Sequence, residues 1–126
     1  MSRALVTGAS RGIGAAIAKA LARAGHHVIV NYRSQRAEAE QVCAAIEAEG
    51  GRATPIGFDV RERTAVEAAL AGLQQDPEPI DILVNNAGMT KDKPFPAIPF
   101  DDWDAVTRTT LDGFYNVTQP LVMPMV

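Results

Sequence analysis

With 126 residues, 47% of them apolar and 21% charged, the chain has the make-up of one compact globular domain and not of a disordered segment. Its 12 basic and 15 acidic side chains leave a net charge of -3, which excludes a general attraction to nucleic acid or to an anionic membrane. The one cysteine, Cys43, can form no internal disulfide and has no metal-ligand partner in spacing. No signal-type segment opens the sequence and no apolar run approaches the length of about 18 residues that a membrane span needs, so a cytoplasmic location is expected.

Ala4-Leu5-Val6 is a short apolar run and reads as a first strand. Ile13, Ile17 and Leu21 then recur at helical spacing, with small Ala16, Ala20 and Ala24 beside them that let a helix lie close on a sheet. Gly25 follows as a natural C-cap. His27 to Tyr32 is predicted as a second strand, too apolar to show clean alternation. Ala37 to Glu49 reads as a helix stopped by Gly50-Gly51. The third strand, Ala53 to Phe58, is interrupted by Pro55 and Gly57 and therefore belongs near an edge. Thr64 to Gln74 is another amphipathic helix, closed by Pro77 and Pro79, and Ile80 to Val84 is the fourth strand.

From Met89 to Pro99 the chain is polar and broken by prolines. Asp101, Asp102 and Asp104 suit the start of a helix, with Phe100 as a staple residue. From Val106 to Met125 the spacing predicts one long, broadly apolar helix that Pro120 and Pro124 should bend or end. Trp103 and Tyr115 read as packing residues on helical surfaces. Strands alternating with helices imply an α/β fold on a parallel sheet.

The join between the first strand and first helix, Thr7-Gly8-Ala9-Ser10-Arg11-Gly12-Ile13-Gly14, carries the most chemistry. Free backbone N–H groups at a positive helix end can hold the pyrophosphate of a dinucleotide. Gly8 permits a tight turn, Gly12 lets main chain approach phosphate, and Gly14 lets the helix pack on the sheet. A purely structural glycine turn would show the same trio.

An NAD-preferring site places an acid at the end of the second strand to accept from ribose hydroxyls. Here the residues are Asn31, Tyr32, Arg33 and Ser34, with no acid before Glu38. Arg33, helped by Arg11, would pair with a 2′-phosphate, which points to NADPH/NADP+, unless both arginines are only solvated surface residues. Past the third strand, Asp59 would accept from an adenine amino group while Val60 contacts the ring, or Asp59 caps the next turn. Asn85 and Asn86 interrupt a buried run, so their amides are expected to tie neighbouring loops together, and Gly88 lets ribose or nicotinamide approach. His26 and His27 lie before the second strand, away from the ligand-bearing strand ends.

These landmarks, together with Leu111-Asp112-Gly113-Phe114-Tyr115-Asn116-Val117, resemble the short-chain dehydrogenase/reductase family, most closely its 3-oxoacyl-[acyl-carrier-protein] reductase-like members. The resemblance covers the whole chain. It implies a Rossmann-like sheet of order 3-2-1-4 with helices on both faces, a truncated doubly wound three-layer sandwich. Residues 1–126 are then the N-terminal part of a single NAD(P)-binding Rossmann domain. The implied cofactor residues are Gly8, Ser10, Arg11, Gly12, Ile13 and Gly14 in the loop, Asn31, Arg33 and Ser34 after the second strand, Asp59 and Val60 after the third, and Asn86, Ala87 and Gly88 after the fourth.

In that family a Ser and a Tyr-x-x-x-Lys pair carry proton transfer. The serines here are Ser2, Ser10 and Ser34, the tyrosines Tyr32 and Tyr115 are followed four residues on by Arg36 and Gln119, and so no member of that trio is present. Thr110 stands where the family has an Asn that supports a proton-relay water, so the relay would run through another group or more slowly. The resemblance implies that the full-length protein reduces a 3-oxoacyl group on acyl carrier protein with NADPH, in fatty acid synthesis. Alternatives are a dehydrogenase of a small ketone, alcohol or sugar, or a silent dinucleotide-binding or assembly module. It also implies a homo-oligomer, a dimer or tetramer, assembled in part through the last helix.

Overall fold

The computed structural model describes residues 2–88 and 93–126. Four parallel strands, β1 (Arg3–Val6), β2 (His27–Tyr32), β3 (Arg52–Gly57) and β4 (Ile80–Val84), form one sheet of order β3-β2-β1-β4. Helices α1 (Gly12–Arg23), α2 (Arg36–Ala48) and α3 (Arg63–Gln74) connect them. Beyond β4 come a single 3-10 turn (Phe95–Ala97), α4 (Phe100–Thr107), a π-helical segment (Arg108–Asp112) and α5 (Gly113–Met125). Of the proline-broken loop expected from Met89 to Pro99, residues 89–92 lie outside the described residues.

Two cores, one on each face of the sheet, follow from the period-two geometry of the strands. Val6, Val28 and Val30 point to one face and pack with Ala15 and Ala18 of α1 and Ala39, Val42, Cys43 and Ile46 of α2. Leu5 and Ile29 point to the other face and meet Val66 and Leu70 of α3 and Val117 and Leu121 of α5. Because β1 is paired on both sides and covered on both faces, all four of its residues are buried, which is why it reads as an unbroken apolar run. The edge strand β3 keeps Pro55 because, among the described residues, its outer side has no partner strand.

Glycines end the first two helices as expected. Gly25 (φ 100°) and Gly50 (φ 86°) take the left-handed conformation, and the backbone N–H groups of His26 and Gly51 return to the carbonyls of Leu21 and Ile46. Burial pushes the Cys43 thiol up to about 11, in keeping with an inert packing position.

At the amino ends of the strands, buried Arg3 donates from Nε to the Glu78 carbonyl (2.8 Å) and from Nη2 to the Leu73 carbonyl (2.6 Å). Its charge thus caps the C-terminal end of α3. Here too lie His26, bonded to Ser2, and His27, which contacts Thr54, Arg52 and Glu78.

The C-terminal region departs from the expected single helix. Thr107 Oγ1 donates to the Trp103 carbonyl (2.9 Å) and Thr109 Oγ1 to the Ala105 carbonyl (2.8 Å), so hydroxyls compete for the carbonyls that the helix ladder uses. The ladder widens into the π-helical turn over Arg108–Asp112, which begins after Thr107 and includes Thr109. Pro120 and Pro124 do not end α5, which continues to Met125. Each proline removes one donor, but its fixed φ suits a helix and the other bonds carry on around it. Phe100 is 74% exposed, while Trp103 and Tyr115 are about half exposed and the Arg63 guanidinium lies over the Tyr115 ring, 5.6 Å from its centroid. Among the described residues, no helix is long and apolar enough to cross a membrane.

Candidate functional site

A cleft of about 430 Å³ opens at the carboxyl ends of the strands. Gly8, Ser10, Arg11 and Gly12 line it from the β1–α1 loop, Asn31, Arg33, Ser34 and Gln35 from the end of β2, and Phe58, Asp59 and Val60 from the end of β3. Asn86, Ala87 and Gly88 follow β4, and Thr109 comes from the π-helical segment. Parallel strands deliver their loops to one sheet edge, so residues far apart in sequence converge here. Ile13 and Gly14 do not line it. Ile13 is 74% exposed on α1 and Gly14 is buried where the helix meets the loop.

The loop is held by a polar network that uses both amides of the end of β4. Thr7 Oγ1 accepts from the backbone N–H groups of Asn86 and Ala87, each at 3.0 Å, and Asn86 Nδ2 donates to the Gly8 carbonyl at 3.0 Å. Asn85 Nδ2 donates to Thr118 Oγ1 of α5 at 2.9 Å. The tie between neighbouring loops expected of this pair is therefore present. Two glycines make the close approach possible. Gly8 has φ 61° and a Cβ there would stand 2.9 Å from Ala87 Cα, while a Cβ on Gly14 would collide with the Gly8 carbonyl and the Asn86 amide.

Asn31 lines the cleft and is also bound into the fold. Its side chain is buried: Oδ1 accepts from the Gly8 N–H (3.1 Å), and Nδ2 donates to the carbonyls of Ile56 (3.3 Å) and Phe58 (3.2 Å). The amide clasps the first and third strand ends across β2, and the residue still lines the cleft, where Oδ1 keeps a second lone pair.

Asp59 is also engaged within the fold. Arg61 donates to its carboxylate from the backbone N–H (3.0 Å), from Nε (3.1 and 3.2 Å) and from Nη2 (2.8 Å), and Arg33 Nε lies 3.3 Å from Oδ2. The hydrogen bonds from the Arg61 side chain hold the carboxyl below its ordinary range against the opposing effect of burial. Both oxygens accept from Arg61, the backbone N–H bond closing the turn after β3, and the carboxylate also lines the cleft.

Arg61, Gln35, Phe58 and Thr109 were not anticipated. Gln35, oriented to satisfy both neighbours, donates to Glu38 (3.1 Å) and accepts from Arg11 Nη1 (3.2 Å), which holds Arg11 at the rim. No motif marks these four residues in the sequence. The alternation of Arg61 with Asp59, two residues apart at a strand end, was the one available signal.

Thr110 lies outside the main cleft, in an adjoining cavity of about 300 Å³ shared with Thr7, Val60, Asn85, Ala87, Thr109, Gly113 and Phe114. The two cavities are fixed side by side by α5. Asn116 Nδ2 donates to the Val60 carbonyl (2.9 Å), and a Cβ on Gly113 would come within 2.6 Å of Val60 Cγ2.

These residues fit the phosphates of a dinucleotide. The first turn of α1 has no side-chain cap and no acidic residue, leaving its N–H groups and positive dipole end facing the loop. Gly12 has φ 62° and open space where a side chain would stand. Arg11 and Arg33 are exposed at the cleft, whereas its one acid is covered by arginine.

The comparisons with known proteins agree with this geometry. The chain is 46% identical over 122 residues to the 3-oxoacyl-[acyl-carrier-protein] reductase of Aggregatibacter actinomycetemcomitans, covering 97% of the chain and 50% of that protein. It is 40% identical over 125 residues to the gluconate 5-dehydrogenase of Gluconobacter oxydans, covering 99% and 48% respectively. Among solved structures, a gluconate 5-dehydrogenase from Burkholderia cenocepacia in complex with NADP and tartrate superposes with a TM-score of 0.89 at 40% identity, over 98% of this chain and 48% of that one. Reductase and sugar-acid dehydrogenase are comparably near, so the expected affinity for the acyl-carrier-protein branch is not singled out. The chain spans about half the length of the curated relatives it matches. The short chain dehydrogenase family profile matches residues 2–126, and the chain belongs to that family.

Proposed function

We propose that residues 1–126 form the N-terminal part of a single NAD(P)-binding Rossmann domain, and that the full-length protein is an NADP(H)-dependent oxidoreductase interconverting a small ketone and an alcohol or sugar. The observation that carries this reading is the cleft itself, where an uncapped helix start, a glycine loop and two exposed arginines face one another. Gly8, Gly12 and the first-turn N–H groups of α1 would hold the pyrophosphate, with Ser10 beside them. Arg33 and Arg11 would pair with the 2′-phosphate, with Ser34 alongside, and Val60 would contact the adenine. Ala87 and Gly88 would border the ribose and nicotinamide end. Ile13 and Gly14 serve through the start of α1, Gly14 by letting the helix approach Gly8.

Bound there, the reduced cofactor supplies a hydride to a carbonyl carbon. This chain's residues would bind and orient it, while none of its serines or tyrosines stands in the Ser and Tyr-x-x-x-Lys arrangement to which proton transfer would fall. Thr110, in the adjoining cavity, offers one hydroxyl to a relay toward that step. A second reading, reduction of a 3-oxoacyl group carried on acyl carrier protein, is supported by the 46% identity to such a reductase. Homo-oligomeric assembly is part of the proposal, supported by the exposed apolar residues of α5.

Turnover by the full-length protein tests the proposal. We expect NADPH oxidation with a small ketone, or NADP+ reduction with an alcohol or sugar acid. Activity confined to acetoacetyl thioesters would favour the second reading, and cofactor binding without turnover of any carbonyl or alcohol would defeat both.

A further inference from the structure

Arg61 stands beside the cleft and does not line it, yet it controls the one acid there. Its guanidinium lies across both Asp59 oxygens, with Nη2 at 2.8 Å from Oδ2, and the Arg61 side chain is only 17% exposed. Arg33, 55% exposed, reaches the same oxygen more distantly, with Nε at 3.3 Å. In an Arg33–Asp59–Arg61 triad the carboxylate cancels one of two positive charges. The shorter, multiply bonded and more buried contact makes Arg61 the partner that compensates Asp59. Arg33 is then left with its charge largely uncancelled and its outer face free, while Asp59 still anchors its stem end. Without Arg61, Arg33 would be the carboxylate's nearest cation, and its charge would be drawn onto Asp59.

We infer that Arg61 is a positioning residue for cofactor choice: by occupying both oxygens of Asp59, it leaves the charge of Arg33 to a phosphate on the adenosine ribose. This inference rests on the proposed NADP(H) site and deepens it. Arg61 touches no ligand in this role, because it acts through Asp59 on Arg33. Glu62 and Asp104 also lie within electrostatic reach of Arg61, so its own charge is partly balanced.

The test uses full-length protein titrated by calorimetry with 2′,5′-ADP and with 5′-AMP, which differ in the phosphate that Arg33 would meet. Arg61→Met should lower the preference for 2′,5′-ADP about fivefold to tenfold, chiefly by weakening that ligand, while 5′-AMP changes by less than about twofold. Arg61→Lys should keep much of the preference. Adding Asp59→Asn to Arg61→Met should restore it, since the neutral amide no longer draws on Arg33, and this double variant also serves if loss of Arg61 alone leaves a buried charge that impairs folding. A preference unchanged in Arg61→Met, or a parallel loss for both ligands, would overturn the inference while leaving the cofactor site standing. Failure of the unaltered protein to bind 2′,5′-ADP at all would remove the site and the inference together.

Discussion

The glycine-loop region and the α4–α5 arm solve opposite problems. Around β1, α1 and β2, polar groups are consumed internally: Thr7, Asn31 and Asn86 connect three strand ends, and among the described residues Ile13 is the one large apolar side chain exposed before Phe95. The arm is the reverse. Its inner stripe of Val117 and Leu121 is buried, while Phe100, Trp103, Leu111, Phe114, Tyr115, Val122 and Met123 face outward. The first region is complete in its own contacts and its remaining unmatched groups are charges and N–H donors at the cleft. The second carries more apolar surface than the described chain covers, the kind of surface that further protein buries.

That contrast predicts where substitutions act. The largest effect is expected on the inner face of the arm. Leu121→Ala should cost about 3 kcal/mol in urea unfolding of the full-length protein, because Leu121 is 1% exposed in the core shared with α3. If it costs less than about 1 kcal/mol, α5 is not part of that core.

In the loop region, Asn31→Ala should cost about 2 kcal/mol, since it strands a buried N–H on Gly8 and two carbonyls. It should also weaken nucleotide binding by loosening the turn. A full loss of binding with unchanged stability would instead make Asn31 a direct ligand and not a structural clasp.

A smaller effect concerns pH. Asp59 has a carboxyl held below its ordinary value of 3.8 by the Arg61 hydrogen bonds. Its contribution to stability is therefore complete above the ordinary value and disappears as pH falls through the lowered one. Stability measured from neutral pH downward should fall more steeply below about pH 4 in the unaltered protein than in Asp59→Asn, and identical acid limbs would remove the Arg61–Asp59 pair from the account. The smallest effect is expected on the arm's outer face. There Met123→Ser should change monomer stability by less than about 0.5 kcal/mol, because Met123 is 74% exposed. Any larger loss should appear only as a change in assembly measured by ultracentrifugation.

The same two regions differ in what the sequence discloses. Alternation of short apolar runs with 3.6-period segments is local information, and it yielded four strands and the first three helices nearly to the residue, with the glycine stops of two of them. Strand order followed from the family resemblance, since nothing local records which strand lies beside which, whereas most cleft positions were readable as residues at the ends of the strands. What escaped is tertiary or competitive. Nothing around Asn31 announces that its amide is consumed by backbone from two other strands, and the partner of Asp59 was hidden because arginine at a turn ordinarily reads as solvated surface. The π-helical turn at Arg108–Asp112 escaped for another reason. It coincides with threonine hydroxyls that donate to carbonyls of a helix whose apolar spacing is otherwise continuous.

The central claim is that the cleft at the strand ends receives a phosphorylated dinucleotide, selected by arginine charge. Calorimetric titration of the full-length, folded protein with NADPH and NADH tests it most directly. The account predicts that NADPH binds at least about tenfold more tightly, a difference of about 1.4 kcal/mol, and that Arg33→Ala abolishes most of that margin. Equal affinities, or no association with either nucleotide, would contradict it.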